Sequence, residues 1–227
     1  MPDLKFIIEE CRLSFIFKSV EPLPESELLS WLVTEGFAEI KDIPRKIGTP
    51  TFGIERMNIA RKGANEVLYD NLGGLLGVTG KKIEDVMEGF DIVGSILKKN
   101  GVDLPSNVKS LELALSLRIF VKGVHKPLEK IGKFLGINRF SGFSKIMEEE
   151  VIPFDVRFCP RREAKTSENL KTIANWFDIH IYPYVYNPNY FEVRVVFRDS
   201  SFEKVIEFTK TVMDKMASII SIILEGK

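Results

Sequence analysis

The run from Leu111 to Val121 leaves the chain least freedom. Leu111, Leu113, Leu115, Leu117, Ile119 and Val121 alternate with Glu112, Ala114, Ser116, Arg118, Phe120 and Lys122. Successive side chains of a strand point to opposite faces, so this period of two predicts a long strand with one buried face. Leu13, Phe15 and Phe17 against Arg12, Ser14 and Lys18 predict a second half-buried strand over Ile7–Ser19, closed by Pro22 and Pro24. Ile152, Phe154, Val156 and Phe158, with Asp155 and Arg157 outward, predict a third. A hairpin joins Phe177–Tyr186 to Tyr190–Arg198 across Asn187, Pro188 and Asn189. Pro183 cannot donate to a ladder on both sides, which predicts that its strand lies at an edge.

Between these strands the apolar residues are spaced for helices. Ile59, Ala60, Ala64, Val67, Leu68, Leu72, Leu75 and Leu76 recur at intervals of three and four, as do Ile83, Val86, Met87, Phe90, Val93, Ile96 and Leu97. Two helices in series over Ile54–Asn100 are therefore expected, joined at Gly73, Gly74, Gly77 and Gly80. Shorter helices are predicted over Glu25–Glu35, Lys126–Leu135, Phe140–Glu149 and Ser167–Trp176, and a long amphipathic one over Phe202–Leu224. The expected fold is α+β: a mostly antiparallel sheet of about five strands, packed by several helices and closed by the long C-terminal helix.

The nearest approach to a boundary is Asn100–Val108, holding Gly101, Pro105 and Ser106. It divides the chain into a mainly helical half with one leading strand, 1–104, and an α+β half, 105–227; one compact domain is the alternative. Each side holds a strand, short helices and a long helix, an order that duplication would leave, with no residue-level repeat.

Charge narrows the partners. Lys plus Arg and Asp plus Glu both number 32, so no overall field draws in nucleic acid or an anionic membrane. The start, Met1–Lys5, lacks a secretory signal, and no uncharged run approaches the ~20 residues a membrane span needs. Cytoplasm is the expected compartment, and the abundant Lys and Glu would suit a thermophile. Cys11 and Cys159, with only His125 and His180 beside them, have no zinc-ligand spacing, so neither metal nor cofactor is expected. Cys159 stands beside Arg161 and Arg162, which favour a thiolate, but no general base accompanies it.

The glycine joint fails as a phosphate loop. Gly74 and Gly80 have five residues between them instead of four, and Lys82 stands where a hydroxyl should hold magnesium. Ile40, Ile43 and Ile47, followed by Gly48, Thr49, Pro50 and Thr51, copy the rhythm of a helix-turn-helix over 38–62, in which Arg56, Arg61 and Lys62 would meet DNA. On the last hairpin His180, Tyr182, Tyr184 and Tyr186 share one face, opposite Ile179, Ile181 and Val185. Three tyrosines and a histidine can cover a ligand or pack in a protein interface, since each ring has an apolar body and a polar tip.

Ala60, Arg61, Lys62, Gly63 and Ala64 opening a long helix, then a turn, a second helix ending at Leu97–Gly101 and a long strand, resemble the 4-vinyl reductase domain family, which is related to subunits of TRAPP trafficking complexes. The resemblance implies a non-catalytic module that binds a small apolar molecule or a protein. That family's members often carry clustered cysteines near the domain end; this chain has Cys159 alone there, so no metal-linked role follows.

The expected function is thus a non-catalytic binding or interaction module for a small apolar ligand, a protein partner or a second copy, with regulatory use. His180, Tyr182, Tyr184 and Tyr186 are its candidate site. The alternative is a DNA-binding regulator using 38–62. No catalytic residue is assigned.

Overall fold

The computed structural model describes residues 3–19, 22–40, 57–70, 72–123, 126–136, 140–160, 174–187 and 189–225. In chain order the elements of the first half are β1 (Leu4–Phe17), α1 (Glu25–Thr34), β2 (Ala38–Glu39), β3 (Met57–Lys62), β4 (Asn65–Asp70), β5 (Leu75–Gly80) and α2 (Ile83–Lys99). The second half runs α3 (Leu104–Asn107), β6 (Val108–Val121), α4 (Pro127–Leu135), α5 (Ser141–Met147), β7 (Val156–Phe158), β8 (Trp176–Pro183), β9 (Tyr190–Asp199) and α6 (Phe202–Glu225).

All nine strands form one antiparallel sheet in the order β2-β3-β4-β5-β1-β6-β9-β8-β7, against the five or so expected. Beside the short β2, the excess comes from Met57–Gly80, where the sequence predicts a helix and a β-meander stands. Its apolar residues fall in adjacent pairs, Val67–Leu68 and Leu75–Leu76, and both pairs are buried, as strands covered on both faces require. Gly63, at φ +62°, turns β3 into β4, and Gly74, at φ +61°, turns toward β5. A side chain at Gly74 would also meet the Ser19 carbonyl at 2.7 Å. The helix expected to open at Ala60 is this hairpin: of the residues that opened the 4-vinyl reductase resemblance, Ala60–Lys62 lie in β3 and Gly63 and Ala64 in its turn, while the second helix ending near Leu97 is present as α2.

The sheet's order repeats itself about its centre. In each half a central strand, β1 or β6, gives way to a helix; outer strands then return toward it, ending in β5 or β9, and a long helix follows. The central strands pair with each other, Leu13 opposite Leu113. One continuous sheet therefore spans the boundary drawn at Asn100–Val108.

Odd-numbered residues of β6 from Leu111 on and of β1 from Cys11 on face the helices; before the bulge between Ile8 and Glu10 the even-numbered Leu4, Phe6 and Ile8 of β1 take that face, opposite Val121, Ile119 and Leu117. Phe15 stacks on Phe90 of α2 with ring centroids 4.2 Å apart, and Phe197 of β9 stacks on Phe208 of α6 at 4.0 Å. Leu13, Leu113, Val86, Val93, Val212 and Met216 belong to the same buried core. α2 needs no side-chain cap: Glu84 and Asp85 in its first turn and Lys98 and Lys99 in its last complement the helix dipole. Residues 167–173, most of one expected helix, lie outside the described residues, and Trp176 opens β8. β8 is not the edge strand that Pro183 predicted, because β7 pairs outside it; that pairing covers Ile179–Ile181 and stops before the proline, whose outer side is left without a ladder.

Candidate interaction face

Even-numbered residues of β6, β8 and β9 point away from the helices, and cross-strand pairing brings them into rows. Arg118 is opposite Glu192, Phe120 opposite Tyr190, His180 opposite Arg194, and Tyr182 opposite Glu192. The Arg118 guanidinium lies 4.1 Å from the centre of the Tyr184 ring, and Phe120 and Tyr190 meet at 5.4 Å. His180 lies 4.7 Å from Tyr182, whose other neighbours are Phe154 at 6.4 Å and the Arg194 guanidinium at 5.5 Å. Three of the four residues predicted for the site, His180, Tyr182 and Tyr184, are thus together. Tyr186 lies beyond the end of β8 in the turn, 86% exposed, and touches Tyr184 at 5.5 Å.

Hydrogen bonds hold the rings in place. The Tyr182 hydroxyl donates to Glu192 Oε1 at 2.5 Å, and burial, followed by that carboxylate, pushes its pKa up to about 12. The phenol stays protonated at neutral pH and acts as a donor. His180 Nε2 lies 2.8 Å from Asp155 Oδ2.

The arginines are matched by acids. Arg118 pairs with Glu9 at 3.2 Å, Arg194 with Glu192 at 3.1 Å, and Arg157 bidentately with Asp178. Toward the centre of the sheet Glu112 accepts from Arg12 at 2.9 Å and from Arg198 Nε at 3.0 Å. Arg12 and Glu112 are 6% and 5% exposed, so that cluster is structural. Beside the rows, Pro127, Leu128, Phe154, Pro183, Tyr184 and Val185 line an apolar groove of about 280 Å³.

The basic residues of the helix-turn-helix reading do not share a helix. Arg61 and Lys62 lie on strand β3, and Arg56 lies outside the described residues with most of the segment. Lys62 donates to the Glu35 carbonyl at 3.0 Å and sits over the Phe37 ring. Cys159 is exposed, whereas Cys11 is fully buried with its thiol pushed up to about 12 by that burial. Among the described residues no group of three His, Cys, Asp or Glu could hold a metal ion, and no helix is long and apolar enough to cross a membrane.

Arg118, Phe120, Tyr190, Glu192, Arg194 and Phe154 complete the face and were not foreseen as site residues. Arg118 and Phe120 were legible as the outward half of the Leu111–Val121 alternation; what the sequence lacks is the register that sets them against Tyr184 and Tyr190.

No protein-family model matches the chain, and no curated protein matches it. Among solved structures, it is similar to one described as Methanococcus jannaschii TBP, at 11% sequence identity and a TM-score of 0.37, over 96% of this chain and 99% of that one.

Proposed function

We propose that this protein is a non-catalytic interaction module whose sheet face turned away from α2 and α6, around Tyr182, Tyr184, Tyr190 and Arg118, docks a protein partner, in the simplest case a second copy of the chain. The observation that carries this reading is a surface rich in aromatic rings whose arginines Arg118, Arg194 and Arg157 are each already paired with a carboxylate. Tyrosine and arginine are the residues enriched at protein interfaces, where they combine large contact area with fixed hydrogen bonds. Ring positions held by Glu192 and Arg118 cost little further entropy on binding. The adjoining groove would take an apolar side chain of the partner.

The DNA-binding alternative has less support. A polyanion is held by cations free to replace its counterions, and the arginines described on this face already have carboxylate partners. The 4-vinyl reductase resemblance implies the same general class, a non-catalytic module.

The test is the paired variant Arg118→Ala/Tyr184→Ala. Light scattering of the natural chain at about 50 μM should give a dimer or larger species, and the variant should be a monomer with an unchanged melting curve. A natural chain that stays monomeric and captures no protein partner through this face would overturn the proposal.

A further inference from the structure

A second surface lies on the opposite side of the molecule and has the reverse electrostatic character. Between the end of α1 and the outer side of α2 runs a groove of about 620 Å³, within the range of ligand-sized clefts. Its floor is Ile92 and Ile96, its wall is Glu88 and Asp91, and its far end is closed by Glu35 and Lys99. It continues into a smaller hollow of about 230 Å³ reached by Phe37, Lys62 and Asp85.

The charges here are not balanced. Glu35 is satisfied by Lys99, which holds its carboxyl below the usual range. Lys62 is engaged by the Glu35 carbonyl and the Phe37 ring. Asp85, Glu88 and Asp91 follow one another at intervals of three along α2, on one helix stripe. None of their carboxylates enters an ion pair among the described residues. Across both hollows four carboxylates face two ammonium groups.

We propose that this groove docks a basic amphipathic helix of a partner protein, its apolar side chains on Ile92 and Ile96 and its Lys or Arg residues against Glu88, Asp91 and Asp85. An apolar floor flanked by one sign of charge fits a helix with an apolar stripe and the opposite charge beside it. The acidic wall rejects acidic segments and speeds the approach of basic ones. This surface does not share residues with the aromatic face, so either proposal can fail alone.

The test measures fluorescence anisotropy of a fluorescein-labelled peptide of Leu-Lys-Lys-Leu-Leu-Lys-Leu repeats with the full chain at about 0.15 M salt. Glu88→Lys/Asp91→Lys should weaken binding at least ~10-fold, and Ile92→Ser about fivefold, since charge and floor both contribute. Glu203→Lys, an equal charge change on α6, should alter it less than about twofold, and Arg118→Ala/Tyr184→Ala should leave it unchanged. Glu88, Asp91 and Glu203 are exposed, so the charge variants should keep the natural melting curve. The proposal is overturned if oligolysine of matched charge binds as tightly as the amphipathic peptide. It is equally overturned if Glu203→Lys weakens binding as much as the groove variant, or if the groove variant binds unchanged.

Discussion

The seam between β1 and β6 and the flank at β7 and β8 use the same pair of groups in opposite surroundings. At the seam Glu112 sits between Arg12 and Arg198, with Arg12 and Glu112 almost wholly removed from water. At the flank Arg157 grips Asp178 just as closely, but the arginine side chain is 63% exposed. Burial, not geometry, separates their roles. A buried ion pair is costly to break because the survivor is left charged and dry, whereas an exposed one is replaced by water and salt at almost no cost. The seam fixes how the two halves meet, and the flank is free to exchange its partners for those of another molecule.

That contrast can be broken most directly at Glu112. Glu112→Leu leaves two guanidiniums without their shared acceptor and should cost about 3–5 kcal/mol in urea unfolding. A loss below about 1 kcal/mol would mean that water already reaches the seam. Next come the two ring stacks under the sheet. Phe90→Ala should cost about 3–5 kcal/mol, and Phe208→Ala clearly less because its ring is only partly covered; equal losses would deny that the centre is better packed.

Cys11, on β1, gives a pH test of the same dryness. Its thiol is raised to about 12 in the fold from 9.0 in the unfolded chain, chiefly by burial. The folded state therefore holds the proton more tightly. Its contribution is fully present below pH 9 and is lost as the pH rises from there toward 12. At about pH 10.5 the loss should reach about 2 kcal/mol, and Cys11→Ala should remove that slope. The smallest effect belongs to the flank: Arg157→Ala should change stability by less than about 1 kcal/mol, and a larger change would show that exposure does not decide the matter.

How far these features could be read beforehand follows the same division. The strands at the seam were plain in the alternation of Leu13–Phe17 and Leu111–Val121, since one face is apolar and the other polar. The helices α1, α2, α4 and α6 were legible from their period and their ends. Val67–Leu68 and Leu75–Leu76 misled because a strand buried on both faces loses its alternation, leaving paired apolar residues that also fit a helix stripe. His180, Tyr182 and Tyr184 could be grouped because they lie on one strand. Arg118, Tyr190 and Glu192 could not join them, because register across strands depends on packing that no local pattern records. The α2 groove was hidden for the same reason: Ile96 belongs to the apolar stripe read from the sequence and Ile92 stands beside it, and only the placement of α1 leaves the two beside open space.

The position of β1 also has a consequence for synthesis. Its Cys11–Ile16 segment pairs with Leu75–Gly80 on one side and with Ser110–Leu115 on the other. β1 is thus completed only after the intervening strands and α2 have been made and β6 has followed them. Until β6 arrives, an assembled first half presents the unpaired backbone edge of β1 to any other nascent chain.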